Sequence, residues 1–265
     1  HKVGTGTLTL TNEQAYTGGT VVEAGTLKLA GNGAFVDGSD FRIVGGVLDL
    51  GGKTQEAGRV SIVGGTVVNG VLNAAGVDLE SGHSDSEIVG SADLVKTGTG
   101  TVTLGGVNSN FSGTVIVEEG ELRGAIGAFG TSGAIENDGL VTFVEDGSAV
   151  WDGAITGSGD LALTGGGDFE ILGDDNTYSG QTLIDEGSLR VNGSIANSTV
   201  VVGAGGTLGG NGTVGGVIAS GVVAPGNSIG TITVVGDVTF VPGSVYQVEV
   251  NAAGDSDLIA ATGAA

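Results

Sequence analysis

The chain has 265 residues, among them 56 Gly, 2 Pro and neither Cys nor Met, and its 8 basic against 30 acidic side chains leave a net charge of −22. The lack of Cys excludes disulfide staples and thiolate metal sites, and the scattered bases exclude the Lys/Arg clusters that hold nucleic-acid phosphate or an anionic bilayer. Gly is far above ordinary usage without a collagen triplet, while 39% hydrophobic content in recurrent Val/Ile/Leu/Thr runs argues against disorder.

The start, His1-Lys2-Val3, has no Met and no apolar signal core, so a fragment or mature form is expected. A phrase then opens with Gly4-Thr5-Gly6-Thr7-Leu8-Thr9-Leu10, continues through Tyr16-Thr17-Gly18 and closes with Ala24-Gly25-Thr26-Leu27. It returns as Gly98-Thr99-Gly100-Thr101-Val102-Thr103-Leu104, Phe111-Ser112-Gly113 and Glu119-Gly120-Glu121-Leu122. A third copy runs Gly157-Ser158-Gly159-Asp160-Leu161, Tyr178-Ser179-Gly180 and Glu186-Gly187-Ser188-Leu189. Recurrence of this kind signals a solenoid.

A finer period sits inside the phrase. Gly6 to Gly25 is 19 residues, Gly25 to Gly46 is 21, and Gly46 to Gly65, Gly120 to Gly139 and Gly187 to Gly206 are 19 each. About twenty residues are too few for a strand, crossover helix and second strand, but they suit one coil of a β-helix. Around each marker the side chains alternate, as in Thr26-Leu27-Lys28-Leu29 and Val47-Leu48-Asp49-Leu50, so one set points inward and the other meets water. A single coil buries too little to fold alone; stacked coils pair their backbones and share a continuous interior. The pattern is weakest around residues 65 to 92.

Several motifs suggest chemistry and are better explained by structure. Gly226-Asn227-Ser228-Ile229-Gly230 has the form of a nucleophile elbow, but β-type sequence follows it and no His lies downstream. Ser81-Gly82-His83-Ser84-Asp85 holds all three triad residue types in one local stretch, which reads as a surface loop, since triads are assembled from distant segments. Gly210-Asn211-Gly212-Thr213-Val214-Gly215 lacks the helix that a phosphate cradle requires. Gly165-Gly166-Gly167-Asp168-Phe169 is one unmatched copy of a calcium nonapeptide pattern. Asp174-Asp175, or Asp85 with Glu87, offers at most weak calcium ligation, with solvation the plainer reading. A polysaccharide lyase needs clustered bases, and Lys2, Lys28, Arg42, Lys53, Arg59, Lys96, Arg123 and Arg190 are dispersed. Tyr16, Phe111 and Tyr178 each precede their closing Gly by nine residues, which predicts a shared packing role, and Trp151 is expected in the core or at a corner. Near the end, Phe240 and Tyr246 lie on β-type runs split by Pro242-Gly243, which predicts a hairpin cap over residues 237 to 250.

The stretch Leu94-Val95-Lys96-Thr97-Gly98-Thr99-Gly100-Thr101-Val102-Thr103-Leu104 with Asn110-Phe111-Ser112-Gly113 resembles the autotransporter-associated β-strand repeat. Val223-Ala224-Pro225-Gly226-Asn227-Ser228-Ile229-Gly230, continuing through Phe240 to Asn251 and Gly254-Asp255-Ser256-Asp257, resembles the C-terminal part of autotransporter passengers. The resemblance implies an all-β, right-handed single-stranded parallel β-helix over residues 1–224, with a C-terminal capping and folding region at 225–265. It also implies export across the Gram-negative outer membrane through the protein's own C-terminal β-barrel, to the cell surface or beyond. The resulting expectation is a non-enzymatic adhesin or rigid stalk that meets a host cell-surface or matrix molecule, or other bacterial cells. It has no catalytic, cofactor-binding or metal residues and no nucleic-acid partner. Two alternatives stand beside it: a released effector that binds a host receptor, and the scaffold of an enzyme whose catalytic domain lies upstream.

Overall fold

A computed structural model describes residues 1–130 and 133–264, which divide into two compact units, His1–Ser132 and Gly133–Ala265. Each is a parallel β-solenoid. In the first unit, Thr7–Leu10 lies in register on Thr26–Leu29, which lies on Val47–Asp49, and that strand on Thr66–Val68. On a second face the order is Thr20–Val22, Phe41–Ile43, Val60–Ile62, Val77–Leu79, Leu94–Lys96, Val115–Val117. The corresponding coil lengths are 21, 19, 17, 17 and 21 residues. The shortest coils fall where the sequence phrase fades, because they close with smaller corners and leave no room for the full motif.

The second unit repeats the plan. One face stacks Leu140–Val144, Asp160–Thr164, Thr182–Ile184, Val200–Val202, Val217–Ala219 and Val238–Phe240. Another stacks Ser148–Trp151, Asp168–Ile171, Ser188–Val191, Thr207–Gly210, Val222–Pro225 and Val245–Tyr246. Period-2 alternation sends every second residue inward, so aligned strands build columns along each interior. Val22, Ile43, Ile62 and Leu79 form one such column, and Leu163, Ile184, Val202 and Ala219 another, all buried.

Three local features differ from the sequence expectation. A 3₁₀ turn spans Ile126–Phe129 and buries Ala128 and Phe129 at a corner. Residues 237 to 250 do not pair with each other as a hairpin: Val238–Phe240 and Val245–Tyr246 each extend the ladder in parallel on separate faces, and Pro242-Gly243 makes the corner between them. The small antiparallel contact is later, at Val250 and Ser256. Phe240 and Tyr246 occupy inward positions, aligned with Ala219 and Val223, yet are 42% and 41% exposed, since among the described residues no further coil covers them.

Candidate functional site

The most distinctive chemistry lies at the corner of the repeated phrase. Lys96 continues the inward column and is fully buried, its methylene stem standing where the neighbouring coils place Leu79 and Val117. Its ammonium turns into the corner and donates to the carbonyls of Thr97 at 2.7 Å, Gly98 at 2.6 Å and Glu119 at 2.9 Å. Lys2 aligns with Val22 in the same column and repeats the arrangement, donating to Val3, Gly4 and Ala24. Burial pushes the Lys96 pKa below that of free lysine, opposed by the charges of Glu119 and Glu80. The closing glycines complete the cradle. Gly25 and Gly120 have φ of 68° and 72°, and a Cβ there would meet the carbonyls of the preceding coil and sit 2.6 to 2.7 Å from the lysine ammonium. The phrase therefore encodes a backbone corner capped by an interior cation. In the third copy the corner opens with Gly165 and Gly167 rather than with the Gly157-Ser158-Gly159 expected from the sequence, since Gly187 packs on the Gly165 and Gly167 carbonyls, and Leu163 takes the lysine position.

The aromatic slot works with this corner. Phe111 and Tyr178 are buried, whereas Tyr16, in the first coil, is 43% exposed. Tyr178 meets Thr182 Oγ1 at 2.6 Å, which meets Ser198 Oγ at 2.7 Å, and Ser198 donates to Gly180. Burial pushes the Tyr178 phenol up to about 12. Tyr16 pairs likewise with Thr20, while Phe111, without a hydroxyl, has Val115 four residues on. Trp151 is 4% exposed and packs 6.0 Å from Phe143, an interior position. Buried Asn108 and Asn176 bridge coils: each accepts a backbone N–H, from Ile88 and Ile155, and donates to carbonyls of the next coil.

The residues that suggested catalysis are distributed as follows. His83 Nε2 and Asp85 Oδ1 come together at 2.6 Å on the outer surface, but Ser81 donates its hydroxyl to the Val63 carbonyl. Ser84 faces the interior with its hydroxyl unpartnered, aligned with Val67 and Leu104. Residues 226–230 form a loop between two strands, Val222–Pro225 and Thr231–Val234. Gly210 ends the strand Ser194–Gly210 and Thr213–Gly215 begin the strand Thr213–Ala219, while Gly165–Gly167 turns into Asp168–Ile171. Asp168 accepts from the Ser188 hydroxyl and from Arg190, and these bonds hold its carboxyl below the usual range. Asp174 and Asp175 are exposed on a loop, and Glu87 accepts from Asn110. No group of three His, Cys, Asp or Glu suited to a metal occurs among the described residues.

Outer faces carry ladders of ion pairs: Lys28 with Asp49 at 2.6 Å, and Arg59 with Asp78. Burial works against the Asp49 charge, but Lys28, the Gly51 N–H and Asn69 outweigh it and keep its pKa low. A groove of about 370 Å³ opens in the second unit, lined by Arg190, Gly209, Ala224, Ser228, Gln247 and Glu249 among others. No helix among the described residues is long and apolar enough to cross a membrane.

A family model described as the passenger-associated-transport-repeat matches residues 1–29, 94–123 and 156–191. These segments hold the three copies of the phrase, the first two with the lysine cradle. The chain is 36% identical over 168 residues to the adhesin BmaC autotransporter of Brucella suis biovar 1 (strain 1330), a match covering 60% of this chain and 5% of that protein. It is 45% identical over 113 residues to an extracellular serine protease of Serratia marcescens, covering 42% of this chain and 11% of the protease. It is 31% identical over 180 residues to the uncharacterized lipoprotein YdeK of Escherichia coli (strain K12), covering 67% of this chain and 13% of that protein. The chain thus spans 5 to 13% of the length of these relatives. No solved structure matches it. The protease matches, the second at 42% identity over 114 residues, correct the expectation of a strictly non-enzymatic protein. The physical reason is that the repeat shapes coil corners, and a corner motif is silent about chemistry carried elsewhere on a chain.

Proposed function

We propose, for a chain that is a segment of an autotransporter passenger carrying the passenger-associated transport repeat and exported across the Gram-negative outer membrane, that it is the scaffold of a longer passenger whose hydrolytic residues lie outside this segment. The supporting observation is the 45% identity to an extracellular serine protease, held by a chain whose recurring residues are committed to corners and interior columns. Parallel stacking gives such a scaffold stiffness, because each coil is bonded to its neighbours along several strands. In this reading the coils wind right-handed, residues 1–224 are the stalk, and residues 225–265 close it and assist folding next to a C-terminal β-barrel translocator. The test is to express the complete polypeptide and label it with a fluorophosphonate probe. Labelling that maps outside residues 1–265, and survives removal of the Ser81 and Ser228 hydroxyls, is expected. Labelling on Ser81 or Ser228, or none on the polypeptide, would refute the scaffold reading.

A second reading is favoured by the similarity to an adhesin autotransporter: the outer faces of the segment themselves bind a host-surface or matrix molecule. The purified chain should then coat beads that attach saturably to cells or matrix. Attachment no greater than that of uncoated beads would remove this reading.

A further inference from the structure

Asp257 is 4% exposed, in a chain whose other acidic side chains mostly lie on outer faces. Its two carboxylate oxygens reach two segments far apart in sequence. Oδ1 accepts the Gly230 N–H at 2.9 Å and Oδ2 accepts the Glu249 N–H at 2.7 Å. Its own N–H donates to the Glu249 carbonyl at 3.0 Å, and the next residue, Leu258, donates to the Gly230 carbonyl at 2.9 Å. The loop held in this way is already fixed on its far side. Gly210 and Gly226 exchange backbone bonds, and Asn227 donates to Asn192 at 3.0 Å. A Cβ on Gly226, whose φ is 90°, would lie 2.9 Å from Asp257 Oδ1, so the carboxylate sits directly under the loop. Beyond it, Leu258–Ala261 pairs in register with Thr231–Val234.

We infer that Asp257 is a latch: its carboxylate joins the 226–230 loop to the turn at Glu249, and docking of the last strand waits on that closure. The inference rests on the reading of residues 225–265 as a folding region. A buried carboxylate is costly until both N–H groups arrive, and each alone compensates only part of the cost. Closure is therefore a concerted step. Until it occurs, the start of Leu258–Ala261 is held only by the backbone bonds of Asp257 to Glu249 and of Leu258 to Gly230.

Stopped-flow refolding of the full 265-residue chain tests this. Asp257→Ala should slow refolding about tenfold with little change in the unfolding rate, and Asp257→Asn, which keeps one acceptor oxygen, should fall between. Asp255→Asn removes the same charge from an exposed residue bonded to Asn251 and should leave the rate unchanged. A passive structural role predicts instead faster unfolding with refolding intact, and that result overturns the latch. Ile232→Ala and Val238→Ala separate the two claims. If they slow refolding and Asp257→Ala does not, the latch falls and the folding region stands; if none of the three does, both fall.

Discussion

Lys96→Met isolates the interior cation, because methionine keeps the stem that fills the column between Leu79 and Val117 and removes only the ammonium. Three carbonyls, on Thr97, Gly98 and Glu119, then lose their donor at a part-buried corner. Each bond to a charged donor contributes about 1.5 to 3 kcal/mol, while returning the ammonium to water on unfolding recovers several kcal/mol. The balance is a net loss of about 2 to 4 kcal/mol. Urea unfolding followed by far-ultraviolet circular dichroism measures it, with hydrogen exchange at Glu118, whose N–H bonds the Lys96 carbonyl, as the local readout. The transition should move to lower urea, and the Glu118 amide should exchange faster. If the variant is as stable as the parent or more so, ammonium desolvation dominates and the cradle is not a stabilising corner.

The third copy offers the reverse experiment: Leu163→Lys should cost no more than about 1 kcal/mol because Gly165 and Gly187 preserve the corner, whereas Leu189→Lys, buried without one, should prevent folding; equal damage from both in urea melts would contradict the equivalence of the corners. Ser84→Ala removes an unpartnered hydroxyl from the column between Val67 and Leu104 and should stabilise the chain by about 1 kcal/mol in the same assay; a loss would mean the hydroxyl is bonded. Tyr178, with a phenol raised from 10.0 to about 12, favours the folded state fully below pH 10 and loses that contribution as pH rises through about 12. Thermal melts across this window should fall for the parent chain and flatten for Tyr178→Phe; identical slopes would refute the assignment.

Much of the fold is legible in the sequence because Gly-x-Leu markers fall at corners and alternation fixes which side chains point inward. Tyr178 with Thr182 and Phe111 with Val115 could even be read as matched pairs four residues apart. Lys96 could not be placed so easily: a charged residue amid alternating Leu and Val reads as outward, and only the three carbonyls supplied by a corner reverse that. The 17-residue coils hid the period between 65 and 92. Pro242-Gly243 reads equally as a hairpin turn or a coil corner, since a Pro-Gly turn marks a change of chain direction in either, and only strand pairing separates them. Function is least legible, because the recurring residues are spent on building coils.

The most direct test of the parallel, in-register stack uses the absence of native cysteine. Thr103 and Arg123 face outward on aligned strands of the first unit, and Ser188 and Thr207 do so in the second. Adjacent strands lie about 4.8 Å apart, within disulfide range. Cysteine pairs at 103/123 and at 188/207 should each oxidise to an intramolecular disulfide, while 103/122, with one member turned inward, should not. Free thiols at both aligned pairs, or a bond at 103/122 in their place, would contradict the stacked-coil architecture.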